Sequence, residues 1–147
     1  MDGNIIRVGW ASRHIPLPAQ QAELDRLFGD NWELIPLRGS LPYGGFRDAD
    51  ELIELIRRNR IDYCIVILPM WFISKLLERL KALKIDCPLL WARMEQVPNG
   101  EPFDPRSDAI APGGRHMRFR EFRRIIKLEL VTAPVKTSGN RPPEAEI

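Results

Sequence analysis

Cysteine and histidine are both scarce in this chain of 147 residues, which contains two of each. Cys64 and Cys87 form no CxxC pair, so the sequence lacks the motif of a thioredoxin-like redox site or a cysteine-rich zinc site. We expect both thiols to be reduced and to lie in or near the core. The histidines and scattered carboxylates such as Asp104, Asp108 and Glu95 match no metal-ligand spacing. We therefore expect neither a metal nor another cofactor.

Long apolar runs are also missing. A membrane-spanning helix needs about 20 consecutive apolar residues, and the longest run here, residues 64–73, is shorter and contains Pro69. The first residues, Met-Asp-Gly-Asn, lack the basic start and apolar stretch of a secretion signal. We therefore expect a cytoplasmic protein with no membrane partner.

The common nucleotide and nucleophile motifs are absent as well. The chain has neither the GxGxxG fingerprint of dinucleotide sites nor the GxxxxGK[ST] sequence of a P-loop. No GxSxG elbow surrounds Ser12, which disfavours a covalent serine mechanism.

The residues that are present predict one folded domain. Hydrophobic residues make up 44% of the chain and charged residues 29%, as in ordinary globular proteins. The length is that of a single domain with its own core. We assign residues 1–135 to this domain. The polar, proline-containing tail, residues 136–147, is expected to be disordered.

The first two thirds of the chain alternate between strand and helix patterns. Apolar strands are predicted at residues 5–10, 32–37, 63–68 and 89–92, and helices at 18–28, from Asp48 onward, and at 69–84. Asp48 and Glu51 have the spacing of a capping box, and Pro36 places the second strand at a sheet edge. Right-handed parallel crossovers then give the strand order 2-1-3-4. We predict an α/β fold, a small Rossmann-like three-layer domain with a mostly parallel sheet.

The last third is less regular. Residues 97–114 hold four prolines and three glycines, which predicts a long loop. Residues 125–131 then alternate between apolar and charged side chains, which predicts a strand added at the sheet edge. We expect Trp10 and Trp91 to lie in the core, and Phe119 and Phe122 to anchor the segment between loop and strand.

Polar side chains follow each predicted strand. In parallel α/β sheets ligands bind beyond the carboxyl ends of the strands, so these side chains are expected at one rim. Arginine, histidine, hydroxyl and aromatic groups together suit a phosphate and a base. The residues are Ser12, Arg13, His14, Arg38, Ser40, Tyr43, Met70, Trp71, Arg93, Glu95 and Gln96.

Both histidines follow an arginine, in Arg13-His14 and Arg115-His116. They could meet in one site as acid, base or phosphate donors. Alternatively each is a hydrogen-bonded or solvent-facing structural histidine, the commoner role for His116 because only His14 follows a strand directly. The first helix also begins just after Ser12, and helix N-termini favour anions.

The charge of the chain is concentrated near its end. Net charge is +2, yet residues 115–127 hold six cations against Glu121 alone. Such a stripe suits RNA or an acidic protein, although charge runs are most often solvated faces. No binding of DNA is predicted.

Several short motifs resemble the small stand-alone CRISPR-associated ring nucleases. They are Ser12-Arg13-His14 after the first strand, then Leu17, Gln20 or Gln21, Leu24 and Gly29, and Ile67-Leu68-Pro69-Met70 after the third strand. The resemblance covers residues 5–95, and the loop at 97–114 with the basic segment beyond it departs from the family. It implies a compact Rossmann-like (CARF-type) fold, a homodimer and metal-independent cleavage of cyclic oligoadenylate in CRISPR antiviral defence.

Residue roles follow from this resemblance. The ribose 2′-hydroxyl attacks its own phosphate, so the protein needs only to hold that geometry and stabilise the charge. The resemblance implies that Arg13 and Arg93 neutralise the phosphate, and that His14 orients the hydroxyl or protonates the leaving oxygen. Trp71 or Tyr43 would hold the adenine.

Two other functions remain open at this stage. The same rim could belong to a nucleotide sensor or sponge that binds the ligand without cleaving it. The basic segment at 115–127 could instead make the chain an RNA or protein interaction module.

Overall fold

A computed structural model describes residues 5–129 and 131–136. Within these residues the chain forms six strands, three α-helices and one short 3-10 turn, Pro42–Gly44. The strands and helices are, in chain order, β1 (Ile6–Ala11), α1 (Pro18–Phe28), β2 (Trp32–Pro36), α2 (Ala49–Arg58), β3 (Tyr63–Val66), α3 (Met70–Ala82), β4 (Leu89–Gln96), β5 (Asp108–Ala111) and β6 (Arg115–Arg124). The predicted α/β class is confirmed. The predicted tail beyond residue 136 lies outside the described residues.

All six strands form one mixed sheet in the order β2-β1-β3-β4-β6-β5. The pairs β1–β2, β1–β3 and β3–β4 are parallel. The pairs β4–β6 and β5–β6 are antiparallel. β2 forms one edge, as Pro36 predicted, because proline cannot donate to a ladder.

The two faces of the parallel strands carry separate cores. Side chains alternate along a strand, so Val8 and Trp10 pack with Leu24 of α1, while Cys64 and Val66 pack against α2 and α3. Both cysteines are buried free thiols, as predicted. Burial raises the pKa of Cys87 to about 12, which keeps this thiol protonated and unreactive near neutral pH.

Helix α2 forms as its sequence predicts. Its apolar face is buried, and the backbone N–H of Glu51 donates to the Asp48 carboxylate across 2.9 Å. The Glu51 carboxylate accepts from the backbone N–H groups of Arg47 and Ser40. It thus ties the loop before α2 to the helix.

The predictions for the last third were largely wrong. Residues 97–114 contain β5, and the basic segment forms β6, an inner strand between β4 and β5. Residues 125–129, predicted as an edge strand, have no strand structure, and Leu130 lies outside the described residues. β4 runs to Gln96, four residues beyond the predicted end.

A bulge explains why β6 escaped recognition. The β4–β6 register shifts between Arg93 and Met94, so Phe122 pairs with Ala92 whereas Phe119 pairs with Met94. The extra residue interrupts the two-residue period on which strand recognition depends. Phe119 is nevertheless buried, and its ring lies 4.9 Å from that of Phe122, so the predicted anchoring is confirmed.

Leu76 offers a test of the core beneath α3, because it is fully buried there. We expect Leu76→Ala to lower the free energy of unfolding by about 2–5 kcal/mol, the usual result of leaving a cavity. The exposed neighbour Lys75→Ala should change it by less than about 0.5 kcal/mol. Urea unfolding measures both, and equal effects would contradict the described packing.

Candidate functional site

A cleft opens where β3 ends. β3 pairs with β4 only at Leu89 and Leu90, while β4 continues to Gln96 along β6. Beyond Val66, the described part of the sheet therefore has no strand between β1 and β4. The cleft there has a volume of about 920 Å³, within the range of small-molecule sites.

The lining of the cleft is apolar except for a few cations and amide groups. Its polar members are Arg13, His14, Gln20, Arg124 and Lys127, and none of the described acidic side chains lines it. The apolar members include Trp91 and Met94 of β4, Met70 of α3 and Ile110 of β5. The chemistry of this lining suits a ligand with a flat apolar part and a negative charge.

The loop after β1 is held by two hydrogen bonds. The buried Trp10 indole donates through Nε1 to the His14 carbonyl across 2.6 Å, and the His14 backbone N–H donates to Ser12 Oγ across 3.1 Å. Arg13 and His14 are exposed and line the cleft. Ser12 is not among the lining residues, and its hydroxyl oxygen helps to shape the turn.

The start of α1 is not an open anion site. Its backbone N–H groups already donate: Ala19 to the Arg106 carbonyl, and Gln20 and Gln21 to the Leu17 carbonyl. The expectation that this N-terminus would bind an anion is therefore wrong. Oε1 of Gln20 in turn accepts from the Leu17 N–H across 2.8 Å.

The residues after β2 lie apart from the cleft. Arg38 and Ser40 line a smaller groove with Arg47 and with residues of α2 such as Asp50. Tyr43 is exposed in the 3-10 turn, where its φ of 62° is left-handed. Because β2 is an edge strand on the far side of β1 from β4, this group does not join the main cleft.

Arg93 and Glu95 belong to an ion-pair network on β4 and β6. Arg93 Nε lies 2.9 Å from a Glu121 oxygen, and its Nη1 lies 2.8 Å from a Glu95 oxygen. Glu95 and Glu121 also accept from Arg120 and Arg123. Hydrogen bonds from Arg93 and then Arg120 hold the pKa of Glu95 below its usual value. These groups are partly exposed and do not line the cleft, so their pairing adds little stability.

Asp108 is the centre of a second cluster, at the β5–β6 hairpin. Its carboxylate is fully buried and accepts two hydrogen bonds from Arg118, at 2.7 and 2.9 Å. It also accepts from Ser107 Oγ and the Asp104 N–H, and His116 Nε2 lies 2.6 Å away. The bonds from Arg118 are the main cause that holds the pKa of Asp108 far below its usual value.

The second histidine is thus a structural partner of Asp108 in the described hairpin. The His116 ring also packs on Phe103, with 5.3 Å between ring centroids. Arg115 is exposed at the start of β6, and neither residue lines the cleft. The idea that both histidines enter one site finds no support in a single chain.

Neither Trp71 nor Trp91 has its expected role. Trp91, expected in the core, is 44% exposed and lines the cleft. Trp71, expected at the ligand, is 71% exposed beside Met70 and does not line it.

Sequence reasoning missed several of these residues. Arg124 and Lys127 were seen only as part of a basic stripe, although they line the cleft. Asp108 and Arg118 could have been paired from the sequence, because a hairpin with the three-residue loop Pro112-Gly113-Gly114 has the register that joins them. The burial of Gln20 carries no sequence signal of its own.

No family model, curated protein or solved structure matches the chain. In the described part of the chain no group of three or more His, Cys, Asp and Glu residues is placed to hold a metal ion. Nor is any helix among those residues long and apolar enough to cross a membrane.

Asp108→Asn tests the hairpin cluster. An asparagine offers one acceptor oxygen and turns an NH₂ toward donors, so the two-bond contact with Arg118 is lost. We expect a melting temperature several degrees lower, measured by circular dichroism. Asp30→Asn, at an exposed turn, is the matched control and should leave it unchanged.

The same carboxylate predicts an acid dependence. Because the folded pKa of Asp108 is depressed, its contribution is complete above the unfolded value of about 3.9 and declines as pH falls below it. The stability difference between wild type and Asp108→Asn should therefore be constant near neutral pH and shrink below about pH 4. A difference that grows on acidification would contradict the described contacts.

Proposed function

We propose that the chain binds a nucleotide in the cleft beyond β3, and that this nucleotide is a cyclic oligoadenylate which the chain opens without a metal. One observation carries the proposal: Arg13 and His14, from the motif that resembles the ring nucleases, line a large apolar cleft together with Arg124 and Lys127. The proposal includes a Rossmann-like relationship for the parallel half of the sheet.

The cations of the cleft supply the phosphate contacts. Arg13 and Arg124 form no ion pair with any described carboxylate, whereas Arg93, Arg118 and Arg120 are all engaged by carboxylates. A guanidinium without a partner can donate two hydrogen bonds to a phosphate. In this proposal Arg124 therefore takes the role that the resemblance gave to Arg93.

The apolar walls supply the base contacts. Trp91 presents an exposed indole to the cleft, and Met70 and Met94 add polarisable surface around it. Flat bases stack well on such side chains, with about 1–3 kcal/mol per base in nucleic-acid complexes. Trp91 therefore replaces Trp71 and Tyr43 as the aromatic group that holds adenine.

A second copy of the chain would complete the site. Exposed apolar side chains line the cleft, among them Ile15, Met70 and Ile126. Clustered apolar surface of this kind marks contact sites in soluble proteins. A ring of several nucleotides then lies between two clefts, each of which grips part of it.

The chemistry requires little from the protein. The 2′-hydroxyl attacks the adjacent phosphorus, the bond from phosphorus to the 5′-oxygen breaks, and a 2′,3′-cyclic phosphate forms. Arg13 and Arg124 stabilise the charge that develops on the phosphate oxygens. Among the described lining groups, His14 alone has an imidazole, which can both accept and donate a hydrogen bond, so it orients the hydroxyl or protonates the leaving oxygen.

The scarcity of acid–base groups also favours a second candidate, a sensor or sponge without turnover. The described lining of each cleft contains one histidine and no carboxylate, whereas efficient acid–base catalysis uses a donor and an acceptor. A dimer would bring two copies of His14 to one ligand, which could serve as proton donor and acceptor. A protein that only binds the ligand needs no such pair. Turnover separates these two functions.

The RNA or protein interaction module is less well supported. Arg118, Arg120 and Arg123 of β6 are paired with Asp108, Glu95 and Glu121, so much of the apparent charge of this segment is neutralised. The stripe seen in the sequence is therefore not a continuous unpaired cationic surface.

Incubation with cyclic tetra- and hexa-adenylate in EDTA tests the proposal, with products separated by chromatography. We expect linear products from the wild type. His14→Ala should lower the rate by about 10²–10⁴-fold, the range for loss of a general acid or base, while affinity changes little. Arg57→Ala, on the exposed end of α2, is the control and should retain the wild-type rate.

Arg13→Ala separates binding from chemistry. Loss of a hydrogen bond to a charged group removes about 1.5–3 kcal/mol, which corresponds to a dissociation constant about 10–150 times higher. Titration calorimetry measures this value. Intact ligand that co-elutes with the wild type would favour the sensor, and absence of both binding and cleavage would refute both functions.

A further inference from the structure

Gln20 is a buried polar side chain on the wall of the cleft. It lies in the first turn of α1 and is only 5% exposed. Oε1 accepts from the Leu17 N–H across 2.8 Å, which fixes the amide with its NH₂ group on the other side. Among the described residues, nothing accepts a hydrogen bond from that NH₂ group.

A donor in this position needs a partner. The large majority of buried side-chain polar atoms in folded proteins are hydrogen-bonded. The described lining of the cleft contains no Asp or Glu that could accept from Gln20. The nearby Leu17 carbonyl is already occupied, because the backbone N–H groups of Gln20 and Gln21 donate to it. Gln20 lines the cleft, so a ligand bound there can supply the acceptor.

The character of the donor selects the kind of acceptor. A phosphate is best placed near the exposed cations Arg13 and Arg124, where water still solvates part of its charge. Gln20 is neutral and buried, which suits a neutral acceptor carried by an apolar ring. The ring nitrogens of a purine are acceptors of this kind.

We infer that the side-chain amide of Gln20 donates a hydrogen bond to an acceptor atom on the base of the bound nucleotide, and so determines which bases the cleft accepts. The inference rests on the proposed nucleotide function and deepens it. A base without an acceptor at that place would leave the amide unpaired, which is how buried polar groups reject analogues.

Gln20→Glu isolates the donor. The introduced side chain keeps its length and an oxygen that accepts from Leu17, so the start of α1 is preserved, but an ionised carboxylate cannot donate. Gln21→Glu, at the exposed next position, makes the same change in charge and is the matched control. For each variant, a circular dichroism spectrum that matches the wild type confirms that the fold is intact.

Two probes separate base from phosphate: adenosine 5′-monophosphate and ribose 5-phosphate, which lacks the base. Calorimetry gives the ratio of their affinities, in which any repulsion between the introduced carboxylate and the phosphate cancels. We expect Gln20→Glu to lower this ratio about ten-fold. Gln21→Glu should leave the ratio unchanged, and Arg13→Ala should weaken both probes equally.

The outcomes are distinct. A ratio unchanged by Gln20→Glu, while Arg13→Ala weakens both probes, would overturn the role of Gln20 and leave the nucleotide function standing. If the wild type binds neither the monophosphate nor cyclic tetra-adenylate, the proposed function is refuted and this inference with it.

Discussion

Strand β3 is short because Pro69 follows it closely and opens α3. Proline has no N–H to donate and disfavours helical geometry in the residue before it, so a strand and a helix can change over within a few residues. The Phe72 and Ile73 N–H groups donate to the Pro69 carbonyl, which fixes the start of α3 at that point. β4 continues without β3 beside it, and the cleft occupies the space that β3 leaves.

The antiparallel part of the sheet closes this space from the other side. β4 and β6 pair over a long register, and the hairpin of β6 and β5 carries Ala109 and Ile110 to the cleft. Within the hairpin, Arg118 donates to the Asp108 carboxylate. The segment before β5 also contacts α1, because the Arg106 carbonyl accepts from the Ala19 N–H. The contact with α1 also occupies a donor at the helix start, which leaves the cations, His14 and Gln20 as the polar groups of the cleft.

Sequence reasoning succeeded where local signals and burial agree. The α2 boundaries follow from the Asp48 cap and an apolar face that recurs at helical spacing, and the central strands follow from continuous apolar runs. It failed where a tertiary feature interrupts the pattern. The bulge between Arg93 and Met94 disturbs the alternation of β6, and the proline-rich segment before β5 conceals a strand that depends on β6 for its partner.

The site shows the same division. Strand-end logic placed Arg13 and His14 at the cleft, because the end of β1 is a local property. It placed Arg38 and Arg93 there too, although β2 is an edge strand and Arg93 pairs with carboxylates across β4 and β6. The cleft is also lined by Arg124, Trp91 and Gln20. Their positions there depend on where β3 ends and on how α1 packs, and neither can be read from a single segment of the sequence.

In the proposed function, the charged and the neutral polar groups of the cleft have different tasks. The exposed cations remain partly solvated, so they attract an anion without the cost of complete burial. The neutral amide of Gln20 is buried, where an unmet hydrogen bond is costly, so discrimination between ligands is greatest at this residue. In that function, affinity for charge and choice of base reside in different residues, and each can change without loss of the other.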